Sequence, residues 1–266
     1  MENIEKKDKS EIVCIKNNES KPLEFNGNNN IPYSNIKKFF AELFGSLFLL
    51  FIGSGVGVYT KGDLVPIALA NGIILGSLVH LFGPISGGHF NPSITLALFL
   101  RKKLNVKELA YYIIAQLIGG FIGSALVGLC NRGKFDRLAS NQIAQYLITY
   151  NDPNNKKIDA WCYICALICE IILTFLLIIL FCALSMHKNY ANNNVNVIIV
   201  GATLSMFIFT GFHISGGSMN LVRSLPPAVY EALFGNNNTA IKQIWIYIVG
   251  PIVGSVLGSY TYPHLF

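Results

Sequence analysis

The chain has 266 residues, of which 52% are hydrophobic and only 13% charged, with a formal net charge of +6. A soluble domain carries about 25% charged residues, so the composition argues against an ordinary soluble fold and for lipid as solvent. The positive charge is spread over tails and loops, with no basic stripe interleaved with aromatics, which argues against a nucleic-acid partner.

Residues 1–37 are rich in Lys, Glu, Asn and Ser, and Asn26 to Asn30 is low in complexity. Such a segment cannot bury enough apolar surface to offset its ordering entropy, so it reads as a disordered tail. It has no apolar core and does not read as a cleavable signal peptide. Six apolar stretches follow, each long enough to cross a bilayer core of ~30 Å as a helix. They run roughly Lys38–Tyr59, Val65–Gly83, Lys107–Leu129, Ala160–Leu184, Val195–Ile214 and Lys242–Tyr262. In lipid the backbone must satisfy its own hydrogen bonds, which makes helices the expected form. Residues 263–266 form a short C-terminal tail.

Six cysteines occur: Cys14, Cys130, Cys162, Cys165, Cys169 and Cys182. Four lie within one apolar stretch. The spacing of Cys162, Cys165 and Cys169 suits one side of a helix, and no Gly/Pro-rich loop accompanies it, so buried small hydrophobes are the reading and no metal or cofactor is expected.

Two further apolar segments, Ser86–Leu100 and Ser215–Leu233, are too short to span. Each opens with a Gly-rich turn, then an Asn, then a short helical run. Irregular backbone at membrane depth is tolerated only where protein or a water-filled cavity surrounds it, so both are expected as re-entrant half-helices. The chain also repeats. Ile85-Ser86-Gly87-Gly88-His89-Phe90-Asn91 recurs as Ile214-Ser215-Gly216-Gly217-Ser218-Met219-Asn220, and Glu42 and Glu170 precede the two Asn residues by 49 and 50 positions. The halves, about 38–130 and 160–262, hold three spans each. An odd number inverts one half relative to the other and places their shared site near the midplane. The fold class expected is an all-α membrane protein: six transmembrane helices plus two re-entrant half-helices in an inverted repeat.

Asn91 and Asn220 are expected to cap the half-helices through their side-chain oxygens, with Pro92 at the first helical position of one. Their amide NH₂ groups then remain free to donate to a passing water, and the two positive dipole ends meet, which interrupts a proton wire and opposes cations. Arg223 is a charge at membrane depth and is expected to face the cavity. Glu42 and Glu170 read as structural braces that hold re-entrant backbone N–H groups; a proton-relay role in an ion-coupled transporter is the other reading. No nucleophile–base pair, metal set or phosphate loop marks an enzyme.

These motifs resemble the major intrinsic proteins, the aquaporin and aquaglyceroporin family. The resemblance runs from about Asn35 to Tyr262 and includes Ala115-Gln116 and Gly250-Pro251. It implies a right-handed helix bundle with a pore in each protomer, a homotetramer, and a cytoplasmic N-terminus in the plasma membrane or a vacuolar membrane. Lys37, Lys38, Arg101, Lys102, Lys103 and Lys107 lean the same way. The family's Asn-Pro-Ala triplets stand here as Asn91-Pro92-Ser93 and Asn220-Leu221-Val222. Leu221 gives up proline's fixed φ, and this is a candidate gating feature.

By resemblance, the selectivity ring maps to Asn71, Ile208, Gly217 and Arg223. Asn71 stands where a bulky aromatic is common and Ile208 where water-selective members carry His. The ring resembles that of plant members passing boric acid and similar solutes. Ser224 and Tyr247 instead resemble water channels; the ring weighs more because it bounds the passage. His89 reads as packing. His187, in the loop between spans four and five, is a second candidate for gating. Asn237-Asn238-Thr239 is a glycosylation sequon too near the membrane for dependable use. The function implied is a passive channel for water and small neutral solutes such as glycerol, urea, boric acid or peroxide, excluding protons and ions. The alternative is a gated or non-conducting member serving adhesion or signalling.

Overall fold

A computed structural model describes residues 33–151, 158–191 and 195–266. The tail expected over 1–37 lies outside the described residues as far as residue 32. Helix α1 (Asn35–Tyr59) takes in the last three residues of that tail, because the Ser34 hydroxyl caps it by accepting from Lys37 N at 3.5 Å.

All elements among the described residues are helical. After α1 come α2 (Leu64–Ser86), the short α3 (Pro92–Leu100) and α4 (Val106–Cys130); α5 (Gln145–Asn151) lies in the central connection. The second half repeats the order with α6 (Ala160–Met186), α7 (Asn196–Gly211), the short α8 (Leu221–Phe234), α9 (Thr239–Gln243) and α10 (Ile246–Leu265). Five segments are long and apolar enough to cross a bilayer: α1, α2, α4, α6 and the α9–α10 run Thr239–Leu265.

α7 is the remaining span, fifth in chain order and the shortest. Its 16 residues reach about 24 Å at 1.5 Å per residue. The sequence expectation carried this span to Ile214; the helix stops at Gly211 because its carbonyl is shared by the N–H groups of Ile214, Ser215 and Gly216, which wind the chain into the second re-entrant turn. The expected sixth span, Lys242–Tyr262, is interrupted at Ile244–Trp245, where Ile244 N bonds Ile241 O and Tyr247 N bonds Ile244 O in tighter turns.

Helix starts follow local chemistry. Asn105 and Glu108 form a reciprocal capping box on α4, with Glu108 N donating to Asn105 Oδ1 at 2.9 Å and Asn105 N to Glu108 Oε2 at 3.1 Å. Lys38 Nζ reaches Glu108 at 3.2 Å and ties the starts of α1 and α4 together. The long helices pack as α1 on α4 and α2, α6 on α10, and α2 on α7. Small residues make these crossings close: a Cβ on Gly119 would run into Leu43 O, and one on Gly254 would lie 2.6 Å from Ile171 O. Without a hydrophobic drive between helices in lipid, such backbone proximity is the main source of packing energy. The half-helices fill the centre, with α3 against α10 and α4, and α8 against α4.

Candidate functional site

The site begins with two buried carboxylates. Glu42 on α1 is fully buried and accepts four hydrogen bonds: from Ser86 Oγ at 2.6 Å, His89 N at 2.9 Å, Phe90 N at 2.8 Å and Gln116 Nε2 at 2.7 Å. Glu170 on α6 is equally buried and accepts three: from Ser215 Oγ at 2.7 Å, Ser218 N at 2.9 Å and Met219 N at 2.7 Å. A buried carboxylate persists only when such donors replace its water. Tyr112 and Tyr247 close each turn by donating to Ser86 O at 2.7 Å and Ser215 O at 2.6 Å.

These bonds hold a strained backbone. Phe90 and Met219 have φ of 48° and 53°, the left-handed region that β-substituted residues avoid. Each turns its own N–H toward a carboxylate and its C=O toward the other half. Asn91 Nδ2 donates to Met219 O at 2.9 Å, and Asn220 Nδ2 donates to Phe90 O at 2.9 Å. Their Oδ1 atoms accept from Ser93 N and Val222 N, both at 2.9 Å, and cap α3 and α8. One amide hydrogen of each Asn is therefore committed to the opposite loop, where the sequence had left the whole NH₂ free. Neither half-helix has an acidic residue in its first turn, and the two N-terminal ends, each positive by its helix dipole, meet at this junction.

One cavity of about 400 Å³ adjoins this junction. Asn91, Asn220, Asn71, Ile208, Gly217 and Arg223 all line it. Gly217, at φ 60°, carries no side chain into the space. Arg223 brings a permanent positive charge to the cavity wall, and its Nη1 is buried with no protein partner among the described residues.

The sequence profile described as Major intrinsic protein matches residues 31–262. The chain belongs to the major intrinsic protein family.

This major intrinsic protein is 31% identical to glycerol uptake facilitator protein-like 6 of Lactiplantibacillus plantarum, over 85% of this chain and 96% of that one. It is 30% identical to nodulin-26 of Glycine max, over 85% and 77% of the two chains. It is 31% identical to human aquaporin-5, over 86% and 81%. Its fold is similar to the X-ray structure of the aquaglyceroporin from Plasmodium falciparum, with a TM-score of 0.70, 22% identity, and 86% and 96% of the chains covered. Family and fold together make it a multi-pass membrane protein and a passive channel for water and small solutes.

Several residues lie elsewhere than on the cavity wall. Leu221 begins α8 and is not among the cavity's lining residues. Its cap matches the Pro92 cap: Asn220 has φ −151°, ψ 112°, and Asn91 has φ −152°, ψ 120°. His187 ends α6 and stacks near Tyr190 and Phe266, with ring centroids 5.0 and 5.5 Å away. Tyr247 serves the second turn as described and does not line the cavity. His89 does line it, held by a 3.1 Å contact between Nδ1 and Thr95 Oγ1 and packed on the Tyr112 ring at 4.7 Å.

Sequence reasoning missed a strap from the central connection to the second half-helix. Asn141 Nδ2 donates to Gly216 O at 3.0 Å, and Asn141 Oδ1 accepts from Ser224 Oγ at 3.1 Å. Buried Glu231 accepts from Leu138 N, Ser140 N and Ser140 Oγ, and Gln243 Oε1 accepts from Ile143 N at 2.8 Å. Glu231 carried a usable signal, an acid inside an apolar half-helix. Asn141 carried none, because nothing local ties it to a turn 75 residues away. The Asn237 amide in the sequon reaches Glu231 at 3.5 Å.

Proposed function

We propose that the selectivity ring of this channel is Asn71, Ile208, Gly217 and Arg223, and that it admits neutral solutes larger than water, with glycerol, urea, boric acid and peroxide as candidates. The observation that carries this reading is that all four residues line the same cavity as Asn91 and Asn220. None of the four is aromatic, and Gly217 adds no side chain, so the passage is wider than a strict water filter. The relatives named for glycerol uptake and as aquaporins support both classes of permeant.

Protons and cations are excluded at two places. At the Asn pair, each amide keeps one hydrogen to donate to a permeating oxygen, and the facing half-helix dipoles oppose positive charge. At Arg223, the guanidinium bordering the cavity donates to neutral solutes and repels cations. Glu42 and Glu170 act as braces, since their oxygens are occupied by turn donors.

The channel unit runs 38–262 and assembles as a homotetramer with its N-terminus in the cytoplasm, in the plasma membrane or a vacuolar membrane. By the parity of the spans, Lys37, Lys38, Arg101, Lys102, Lys103 and Lys107 fall on the N-terminal side, which supports that orientation.

The test is swelling of proteoliposomes in osmotic and isosmotic solute gradients, wild type against Asn71→Phe. The variant is expected to lose solute permeability while keeping most water flux. Wild-type flux no greater than that of empty vesicles would refute the channel reading.

A further inference from the structure

The ring position Asn71 depends on a residue on a different helix. Asn71 is only 3% exposed yet lines the cavity, on the face of α2 that also presents Ile67 and Leu75 to it. Its Nδ2 donates to Ile67 O at 2.8 Å, which folds the amide back along its own helix. That fold places the amide against Gly53 of α1, oxygen nearest. A Cβ at Gly53 would collide with Asn71 Oδ1 and would lie 2.9 Å from its Cγ and 3.2 Å from its Nδ2. Atoms do not approach that closely, so the amide fits only because position 53 has no side chain. Asn71 Oδ1 accepts no hydrogen bond among the described residues. The notch therefore parks the amide beside the passage, with Oδ1 the atom turned closest to Gly53.

We propose that Gly53 is a specificity-determining residue: by housing the Asn71 amide in α1, it keeps the ring open to solutes larger than water. This rests on the channel reading above. A methyl group at position 53 evicts the amide. Helix α1 then blocks one direction, and the cavity is the open space on the face Asn71 shares with Ile67 and Leu75. The displaced side chain narrows the passage for a polyol or urea, whereas a single water still passes. Asn71→Ala removes the amide that would be displaced, so the double variant regains the wide ring.

The experiment compares wild type, Gly53→Ala, Asn71→Ala and Gly53→Ala/Asn71→Ala in proteoliposomes, each checked for monodisperse elution and scored as the ratio of glycerol or urea permeability to water permeability. Gly53→Ala is expected to lower that ratio roughly fivefold or more, and the double variant to return it to within about twofold of Asn71→Ala. An unchanged ratio in Gly53→Ala overturns the proposal and leaves the channel reading intact. So does a double variant as restrictive as Gly53→Ala, since that would trace the loss to helix packing instead of Asn71. Absence of all flux in wild type would overturn the channel reading and this inference together.

Discussion

Asn91 and Asn220 each donate a side-chain hydrogen bond to the carbonyl immediately before the other. The half-helix caps are thus also the latch between the two halves. Asn220→Ala removes a cap and one cross-bond together. Each contributes about 1 kcal/mol, so a loss of about 2 kcal/mol is expected, with reduced water flux. Thermal unfolding in detergent and stopped-flow light scattering read the two effects. A variant with wild-type stability would mean that the latch contributes little.

The two braces differ in how much they hold. Glu42→Gln and Glu170→Gln keep the shape but turn an NH₂ toward backbone N–H donors at one oxygen. A destabilisation on the order of 3 kcal/mol is expected for Glu170→Gln, seen as lower folded yield and a lower melting temperature. Glu42→Gln is expected to be milder, because Gln116 can reorient its amide and offer an oxygen. The reverse ranking would count against this account.

Leu221→Pro tests the variant triplet. The Leu221 N–H sits at the first helical position, where an N–H has no intrahelical acceptor to lose, and the cap beside it already matches the Pro92 cap. The substitution is expected to stabilise slightly, by about 0.5 kcal/mol, through the unfolded chain. Solute and water flux should stay at wild-type values; a several-fold rise in flux would make Leu221 a gate after all.

Outside the bilayer, Asp159 caps α6 by accepting from Cys162 N at 2.8 Å, and this bond holds its carboxyl below the usual carboxylate range. A depressed folded pKa means the cap's contribution is present above the unfolded pKa, near 4, and is lost as pH falls through the lower folded value. Amide exchange at the start of α6 should therefore accelerate below about pH 4, once corrected for intrinsic rates. Asp159→Asn, which still caps, should flatten that dependence.

Much of this arrangement was legible in the primary structure because it is written in local patterns. Apolar length marks the spans. The repeated Ile-Ser-Gly-Gly motif marks both turns, and the matched distances to Glu42 and Glu170 pair each acid with its turn. What could not be read depends on distant contacts. The Gly53 notch for Asn71 and the strap from Asn141 to Gly216 join residues whose neighbours in sequence give no hint of the partner. The end of α7 was overextended because Phe212, His213 and Ile214 do not interrupt the hydrophobic run, while the termination comes from three N–H groups sharing Gly211 O.

The unequal number of donors at the two carboxylates gives the duplicated halves different mutational robustness. Glu42 can lose Gln116 and still keep three donors, as many as Glu170 has from the outset. The amino-terminal turn therefore has a spare anchor and the carboxy-terminal turn has none, so a saturation scan should find the second turn the less forgiving of change.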